Sequence, residues 1–580
     1  MTRINIAPRK RYVVHILILL AVSFFCFFWK LGYNEVFDLD EALYANCARE
    51  MALNGDFITP HINGVPFYEK PPLVYWMGAL NYRLLGRNPW TTRLPSAFLS
   101  LLMTLMIYYF GRSRMSEQTG FLAGLMYALN PLVVGEAHQL TTDATVAFCI
   151  AAAIICFHMA LSTRRKPLWY YGFWVFCALG VLAKGAPGIV FPVLIAYIYI
   201  YWIKQKRLSA PLAELKRPRL YVGFMLFLVI AAPWHIAALV IDGRPFWEMY
   251  IIRQHLGRFY GLDKAHHAPI WFYLPGLLLG FMPWSFYLGQ AYFLREEPSV
   301  DIENRNFRLF LRIWIAVIFI VFSMSGSKLV SYILPLYPAA ALLTSDFLIR
   351  AMKTDRYRLP LTIGAICFFI FSLALFLPIA FIHPIIATIN HRLSHPIHLS
   401  SVPSEVFPWI AHLTIALAAG SGAAVGCILI KRTRWILYST LACIVAFLAI
   451  ALGEGLPIIK NEMQLPLLSL VKKIDTLNPR PTSVLIATGA PRRPSILFYL
   501  PDVYFIAQSP KRYQVAEKEK MSAAMAFVRN HPNTVVLTTT LRSAQFMRQY
   551  HMDRIAGNPY WSLLLPHTRQ NGKNSRGRWK

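Results

Sequence analysis

The sequence predicts a polytopic α-helical membrane protein of about 13 transmembrane helices with a small α/β domain near its C-terminal end. Three observations carry that prediction. The 580 residues are 56% apolar and only 15% charged, with a mean hydropathy of +0.44, too little charge to coat the surfaces of a soluble chain this long. The apolar residues arrive in runs long enough to cross a bilayer. Beyond residue 458 those runs give way to short segments of strand character. The formal charge of +30 would point a soluble chain toward nucleic acid. In a membrane chain, clusters such as Arg9-Lys10-Arg11 set orientation and touch anionic headgroups, so membrane lipid is the expected partner and nucleic acid is not.

The first element has a basic head and an apolar stretch over 13–31 but no small-x-small cleavage site, and reads as an uncleaved first span. Further spans follow near 92–111, 119–136, 143–161, 168–184, 187–203, 220–241, 268–291, 309–325, 329–349, 359–382, 407–430 and 435–453. With the N-terminus in the cytoplasm, every second loop is basic: Arg112/Arg114, Arg164-Arg165-Lys166, Lys204 to Arg219, Arg295 to Arg312, Arg350 to Arg358, and Lys431-Arg432-Arg434. That alternation is the positive-inside pattern, and an odd number of spans puts the C-terminal domain outside. Seven of the eight cysteines lie in apolar runs and only Cys47 lies outside one, so no loop disulfide is expected.

The expected organisation is a transmembrane domain over 1–458, an outer α/β domain over 459–567 and a basic tail over 568–580. Outer loops 32–91 and 242–267 carry amphipathic segments that suit the membrane interface, 40–54 and 72–86 among them. In the C-terminal domain, 483–488, 496–500, 502–507 and 534–540 read as strands, and the stretch AEKEKMSAAMAFVRNH as a helix.

Ionisable residues gather at the outer ends of the spans and in the outer loops: Asp38, Asp40, Glu41, Glu69, Lys70, Asp143, Lys184, Arg258, His266, His267 and Lys328. Charges at membrane depth are expensive and tend to mark a functional cavity. Lys and Arg there suit a phosphate headgroup, and a neighbouring carboxylate suits a general base or a holder of sugar hydroxyls. No P-loop, Rossmann fingerprint or HExxH is present, which disfavours a soluble nucleotide donor. A lipid-phosphate donor needs no nucleotide fold. Blander roles exist for the same residues: Asp40 suits a helix N-cap, Glu69-Lys70 a solvated pair, and Lys184 and Lys328 snorkelling to headgroups. Adjacent His266 and His267 would point about 100° apart on a helix, which disfavours a shared metal.

The stretch DLDEALYANCAREMALNGDFITPHINGVPFYEKPPLVYW, at 38–76, resembles the first periplasmic loop of bacterial GT-C glycosyltransferases. These are relatives of the protein O-mannosyltransferases, grouped with the 4-amino-4-deoxy-L-arabinose lipid A transferases. TTDA at 141–144, LAKG at 182–185, HLGRFYGLDKAHHAPIWFYLP at 255–275 and SGSKLVSYILPLYP at 325–338 add to the resemblance, which spans roughly residues 10–350. It implies thirteen spans, a periplasmic C-terminal domain, an undecaprenyl-phosphate-linked sugar donor and an inverting transfer. Asp40 then matches the family's essential first-loop acid, with Tyr44 at the family spacing and Glu69-Lys70-Pro71 as a flexible loop near the donor phosphate. Asp143 matches a second acid, Arg258 a phosphate-facing arginine and Tyr332 a tyrosine near the lipid headgroup. Phe67 and Tyr68 stand in the opposite order to the Tyr-Phe of some relatives, which leaves open the ring that faces the cavity.

The resulting expectation is a monomeric, multi-pass glycosyltransferase of the bacterial inner membrane that moves aminoarabinose to a lipid A phosphate. Asp40, Asp143 and Glu41 are the candidate catalytic carboxylates, and Lys70, Arg258 and Lys328 the candidate binders of the donor phosphate. Tyr44, Phe67, Tyr68, Glu69, Lys184, His266 and Tyr332 are expected to line the cavity. No cofactor is required, and Glu69 is the candidate ligand if a divalent metal takes part. Transfer of another sugar to protein or to another envelope glycolipid is the alternative within the class. A flippase for the same lipid is the alternative outside it, and would call for mid-span charges and broken inverted repeats.

Overall fold

The computed structural model describes residues 8–566 except 39, 163–165, 204–217, 258–267, 295–300, 381–404, 475, 478–482, 488–493, 500–504, 509–527, 529–533, 541–542, 545–546, 549–551 and 559. Each of the thirteen apolar segments falls on a helix. In chain order these are α1 (Pro8–Phe27), α4 (Pro89–Arg114), α5 and α6 (Glu117–Ala128, Pro131–Ala137), α7 (Thr142–Ser162), α8 (Lys166–Lys184), α9 (Pro187–Ile203) and α10 (Pro218–Phe246). There follow α11 and α12 (Tyr273–Gly280, Ser285–Phe293), α13 (Ile302–Met324), α14 (Tyr337–Ala351), α15 (Arg358–Ala380), α16 (Val406–Leu429) and α17 (Thr433–Ile450). Among the described residues, eight helices are long and apolar enough to cross a membrane, or up to nine if one bent pair counts as a single span, and three shorter apolar helices accompany them. The protein is a multi-pass helical membrane protein.

Two segments expected as unbroken helices are broken. The third span bends by 59° between α5 and α6. Asn130 accepts from Val133 N at 3.1 Å, and Pro131, which has no N–H, opens the new helix. The eighth span splits into α11 and α12 around Pro283. The tenth begins as a tight 3₁₀ turn over Val330–Leu336, with Pro335 inside it, before α14 takes over.

The chain packs as two compact units, Met1–Tyr33 with Cys47–Leu456, and Asn34–Asn46 with Pro457–Lys580. The core of the first is aromatic: Trp284, Trp314, Tyr337 and Phe310 are fully buried, and Trp314 donates to Pro335 O at 2.9 Å. At the end of the bundle that holds the C-termini of α4 and α14, Arg308 and Arg350 converge on Asp346, their Nε atoms 2.8 and 2.9 Å from its Oδ2. At the opposite end lie α3 (Leu73–Leu85), the start of α7, the end of α8 and a loop carrying a two-residue hairpin, β1 (His61–Ile62) with β2 (Val65–Pro66). Asn63 and Gly64 both have positive φ (55° and 68°), which a two-residue turn of this hand requires.

The second unit has a five-stranded mixed sheet in the order β4-β3-β5-β7-β6. Its strands are β3 (Ser483–Ala487), β4 (Phe505–Gln508), β5 (Thr534–Thr539), β6 (Met552–Gly557) and β7 (Trp561–Pro566). β3 pairs in parallel with β4 and β5, while β7 pairs antiparallel with β5 and β6. The amphipathic helix α18 (Leu465–Ile474) buries Leu467, Leu468, Leu470, Val471 and Ile474. Of the run ILFYL, expected as a strand, the first four residues, Ile496 to Tyr499, belong instead to helix α19 (Pro494–Tyr499). A short apolar run does not by itself separate helix from strand. Here Pro494 opens the helix and Asp38 accepts from both Ser495 N and Ser495 Oγ at 2.8 Å, which supports a helical start. The stretch expected as a helix, 516–531, lies outside the described residues apart from Val528.

Candidate active site

Within the first unit the centre is Asp143, in the first turn of α7, where a carboxylate is favoured by the helix dipole. Its Oδ1 accepts from Lys184 Nζ, and its Oδ2 accepts from Ser331 Oγ at 2.6 Å. Lys184 is the last residue of α8, where a cation is favoured for the same reason, and Gly185 with φ 83° turns the chain out of the helix. The Lys184 and Asp143 side chains are only 13% and 11% exposed. Lys184 Nζ also lies 3.9 Å from the centroid of the Tyr332 ring. Three predicted residues, Asp143, Lys184 and Tyr332, are thus brought together from α7, α8 and the turn before α14.

Lys328 stands four residues before Tyr332. Its Nζ donates to Ala268 O at 2.9 Å and Ser325 O at 2.5 Å, with no carboxylate partner among the described residues. It is 6% exposed, and burial lowers its pKa from the ordinary lysine value. Two neutral carbonyls orient the ammonium without neutralising it, which leaves its charge available to an anion.

The loop that carries Lys70 is held by carboxylates. Glu50 accepts from the N–H groups of Asn63 and Gly64 at the hairpin turn. Asp56 accepts from Ile58 N and Thr59 N at 2.9 and 3.1 Å, an Asx turn. Asp242, near the end of α10, accepts from Thr59 Oγ1 at 2.7 Å and Tyr68 Oη at 3.1 Å. The sequence left the roles of Phe67 and Tyr68 open. The structure buries the Phe67 ring and leaves Tyr68 half-buried with its hydroxyl on Asp242. Burial, reinforced by Asp242, pushes the Tyr68 phenol up to about 12, so it stays a donor. Lys70 is buried at 8% exposure, and Glu69 is half-buried. Tyr68 packs with Trp76 against a cluster of Leu182, Trp234, Ala238, Phe246 and Tyr250, which seats this loop beside the end of α8 that bears Lys184.

In the second unit, Asp40 opens α2 (Asp40–Asn54) and is exposed, with no hydrogen bond or ion pair to the described residues. Glu41 beside it is 1% exposed and accepts from Phe37 N at 2.7 Å. That carboxylate ties down the start of the helix, the part foreseen for Asp40, and Tyr44 is buried one turn on. Arg258 and His266 lie outside the described residues. Among the described residues no group of three or more His, Cys, Asp or Glu is arranged to hold a metal.

Sequence reasoning missed Ser331 and Asp242. Asp242 follows the apolar run 220–241, and the rule that singled out Asp143 at a span end would have found it. Ser331 carries no such signal, since one serine in SGSKLVSY looks like another until the fold sets it on Asp143.

Comparison with known proteins agrees with the resemblance seen in the motifs. Residues 69–236 match the dolichyl-phosphate-mannose-protein mannosyltransferase family. An undecaprenyl phosphate-α-4-amino-4-deoxy-L-arabinose arabinosyl transferase of Pseudomonas fluorescens is 30% identical over 351 residues, 59% of this chain and 61% of that protein. The Aeromonas salmonicida protein of the same description is 31% identical over 346 residues, 58% of this chain and 60% of that one. The match thus spans about 60% of the length of these curated relatives. The crystal structure of ArnT from Cupriavidus metallidurans bound to undecaprenyl phosphate superposes with a TM-score of 0.72 at 20% identity, covering 96% of this chain and 98% of that one. Its apo form gives 0.69 over the same shares. The fold is shared over nearly the whole chain.

Proposed function

We propose that this chain, which has the GT-C fold and resembles the aminoarabinose transferases, is a glycosyltransferase working at the outer face of a bacterial inner membrane. Its donor is a sugar on undecaprenyl phosphate, for preference 4-amino-4-deoxy-L-arabinose, and its acceptor a phosphate of lipid A. The observation that carries the reading is Lys328, a buried ammonium oriented by two carbonyls and unneutralised by any described carboxylate. It stands three residues before Ser331, which donates to Asp143 of the Lys184–Asp143 pair, and a departing carrier phosphate needs such a charge.

In this reading the bond between the sugar's anomeric carbon and the carrier phosphate oxygen breaks, and its electron pair leaves with the phosphate. An oxygen of the acceptor phosphate attacks the same carbon from the opposite face, so configuration inverts. Lys328 and Lys70 stabilise the leaving charge, with Arg258 assigned the same part by its motif. Asp143, held by Lys184 and Ser331, cannot swing freely, and its fixed carboxylate orients the sugar through its hydroxyls. Asp40 is assigned the orienting of the sugar by its motif. No general base is required, because an acceptor phosphate is already ionised near neutral pH.

The pH dependence of transfer tests this against a hydroxyl acceptor. With a phosphate acceptor the rate follows acceptor ionisation near pH ~6, and removing the lipid A phosphates abolishes transfer. A hydroxyl acceptor needs a base worth ~10²–10⁴-fold, so Asp40→Asn would then lower the rate by about that factor. Undiminished transfer to dephosphorylated lipid A overturns the phosphate acceptor in favour of a protein or glycolipid hydroxyl.

A further inference from the structure

Asp242 takes no part in the chemistry outlined above, yet its carboxylate gathers two hydroxyls from a loop 174 to 183 positions earlier in the chain. It sits near the end of α10, immediately before Gly243, whose φ of 57° and ψ of −132° break the helix. Beyond that break the chain winds through a wider helical turn over Trp247–Gly257 and reaches Arg258. On the other side of the contact, Tyr68 stands two residues before Lys70. The rest of the loop is anchored by backbone groups: Trp234 Nε1 on Ile58 O at 2.9 Å, Trp76 Nε1 on Phe57 O at 2.8 Å, and Glu50 on the hairpin turn. Asp242 alone among these ties takes hold of side chains at both stems, Thr59 before the hairpin and Tyr68 after it.

We infer that Asp242 is a positioning residue that sets Lys70 for the carrier phosphate, by clasping both stems of its loop to the base of the segment that leads to Arg258. The inference rests on the proposed role of Lys70. Thr59 is 4% exposed, so its hydroxyl has little access to competing water, and both bonds run to an acceptor that carries charge when ionised. The hydroxyls approach opposite oxygens of one carboxylate, a geometry that fixes the spacing of the two stems as well as their distance from α10. Losing it would leave Lys70 in place in the chain but no longer held at the depth where a headgroup phosphate sits.

The test uses the full chain in nanodiscs with undecaprenyl phosphate, carrying no sugar, as the probe. Its Kd is measured for the wild type, Asp242→Ala, Lys70→Ala and the double variant. The expected result is a weakening of about tenfold or more for Asp242→Ala, the scale of losing a hydrogen bond to a charged group. In the Lys70→Ala background the same substitution should change Kd by less than about twofold, because a residue that acts through Lys70 has nothing left to position. Tyr68→Phe and Thr59→Val each remove one arm and should each give part of the effect, which keeps the test decisive if Asp242→Ala folds poorly. A merely structural Asp242 would lower thermal stability and add its cost in full on top of Lys70→Ala. That additivity, or a wild-type Kd in Asp242→Ala beside a weakened Lys70→Ala, overturns the clasp alone. A wild-type Kd in Lys70→Ala overturns the phosphate reading and the clasp with it.

Discussion

Lys184→Met is the perturbation whose size the geometry defines best. It keeps much of the volume of the side chain and removes its charge. Asp143 would keep one partner, Ser331 Oγ at 2.6 Å, and lose the ammonium that neutralises a side chain only 11% exposed. Breaking a buried pair from one side costs about 3–5 kcal/mol, since the remaining charge stays desolvated. The contact with the Tyr332 ring at 3.9 Å goes as well, and such contacts are worth about 0.5–2 kcal/mol. The loss should therefore lie toward the upper part of the first range. Removing both charges in Lys184→Met with Asp143→Asn should recover at least ~2 kcal/mol, because replacing a whole buried pair is often nearly neutral. The assay is thermal and denaturant unfolding of the detergent-solubilised protein, run as a double-mutant cycle. Strictly additive effects, or a Lys184→Met variant as stable as the wild type, would refute the idea that the pair holds α7 to α8. The double variant should stay unable to transfer sugar even where it folds, because the carboxylate that orients the sugar has gone.

Further expectations follow from the same structure. Burial lowers the Lys328 pKa in the free protein, and a bound phosphate would raise it again, so affinity for undecaprenyl phosphate should be full below the free value and fall as pH climbs through it toward the ordinary ~10.4. Titrations of the wild type should show that loss and Lys328→Met should not. The sign for folding is opposite: the unfolded chain binds the proton more readily, so burial of a charged Lys328 costs stability that is regained as pH rises through the same window. At the other end of the bundle, Asp346→Ala strands two guanidiniums that are 7% and 17% exposed and should cost about 3–5 kcal/mol in unfolding measurements. Carrier binding by the fraction that remains folded should not change.

Much of this architecture is legible along the chain, because the features that announce it are local. Membrane length and charge alternation mark the long helical segments, and the helical spacing of apolar residues over 40–54 and 72–86 marks two shorter helices, which form at Asp40–Asn54 and Leu73–Leu85. Asp143, Lys184 and Tyr332 were visible as charges at span ends or as parts of motifs, and they do meet. The kinks were harder, since Asn130-Pro131 marks a break only once the capping bond to Val133 is known. So was the sheet: β6 and β7 include polar residues such as Asp553, Arg554 and Ser562 and carry no clean alternation, while ILFYL is apolar enough for either state. Glu41 and Asp40 are neighbours with similar chemistry, and only the packing shows that one is buried on Phe37 N while the other is exposed. Partners such as Ser331 for Asp143, 188 positions away, are products of tertiary folding and leave no local trace.

The most direct test of the central claim is transfer by the purified protein. Undecaprenyl-phosphate-linked 4-amino-4-deoxy-L-arabinose and lipid A are incubated with the wild type and with Lys328→Met, and the products are read by mass spectrometry. The account predicts lipid A carrying one added aminopentose on a phosphate, free undecaprenyl phosphate in equal amount, and a loss of two to three orders of magnitude in Lys328→Met, about the scale for one donor to a developing anion. Lipid A that stays unmodified while the donor is moved across the bilayer intact, or wild-type transfer by Lys328→Met, would contradict it.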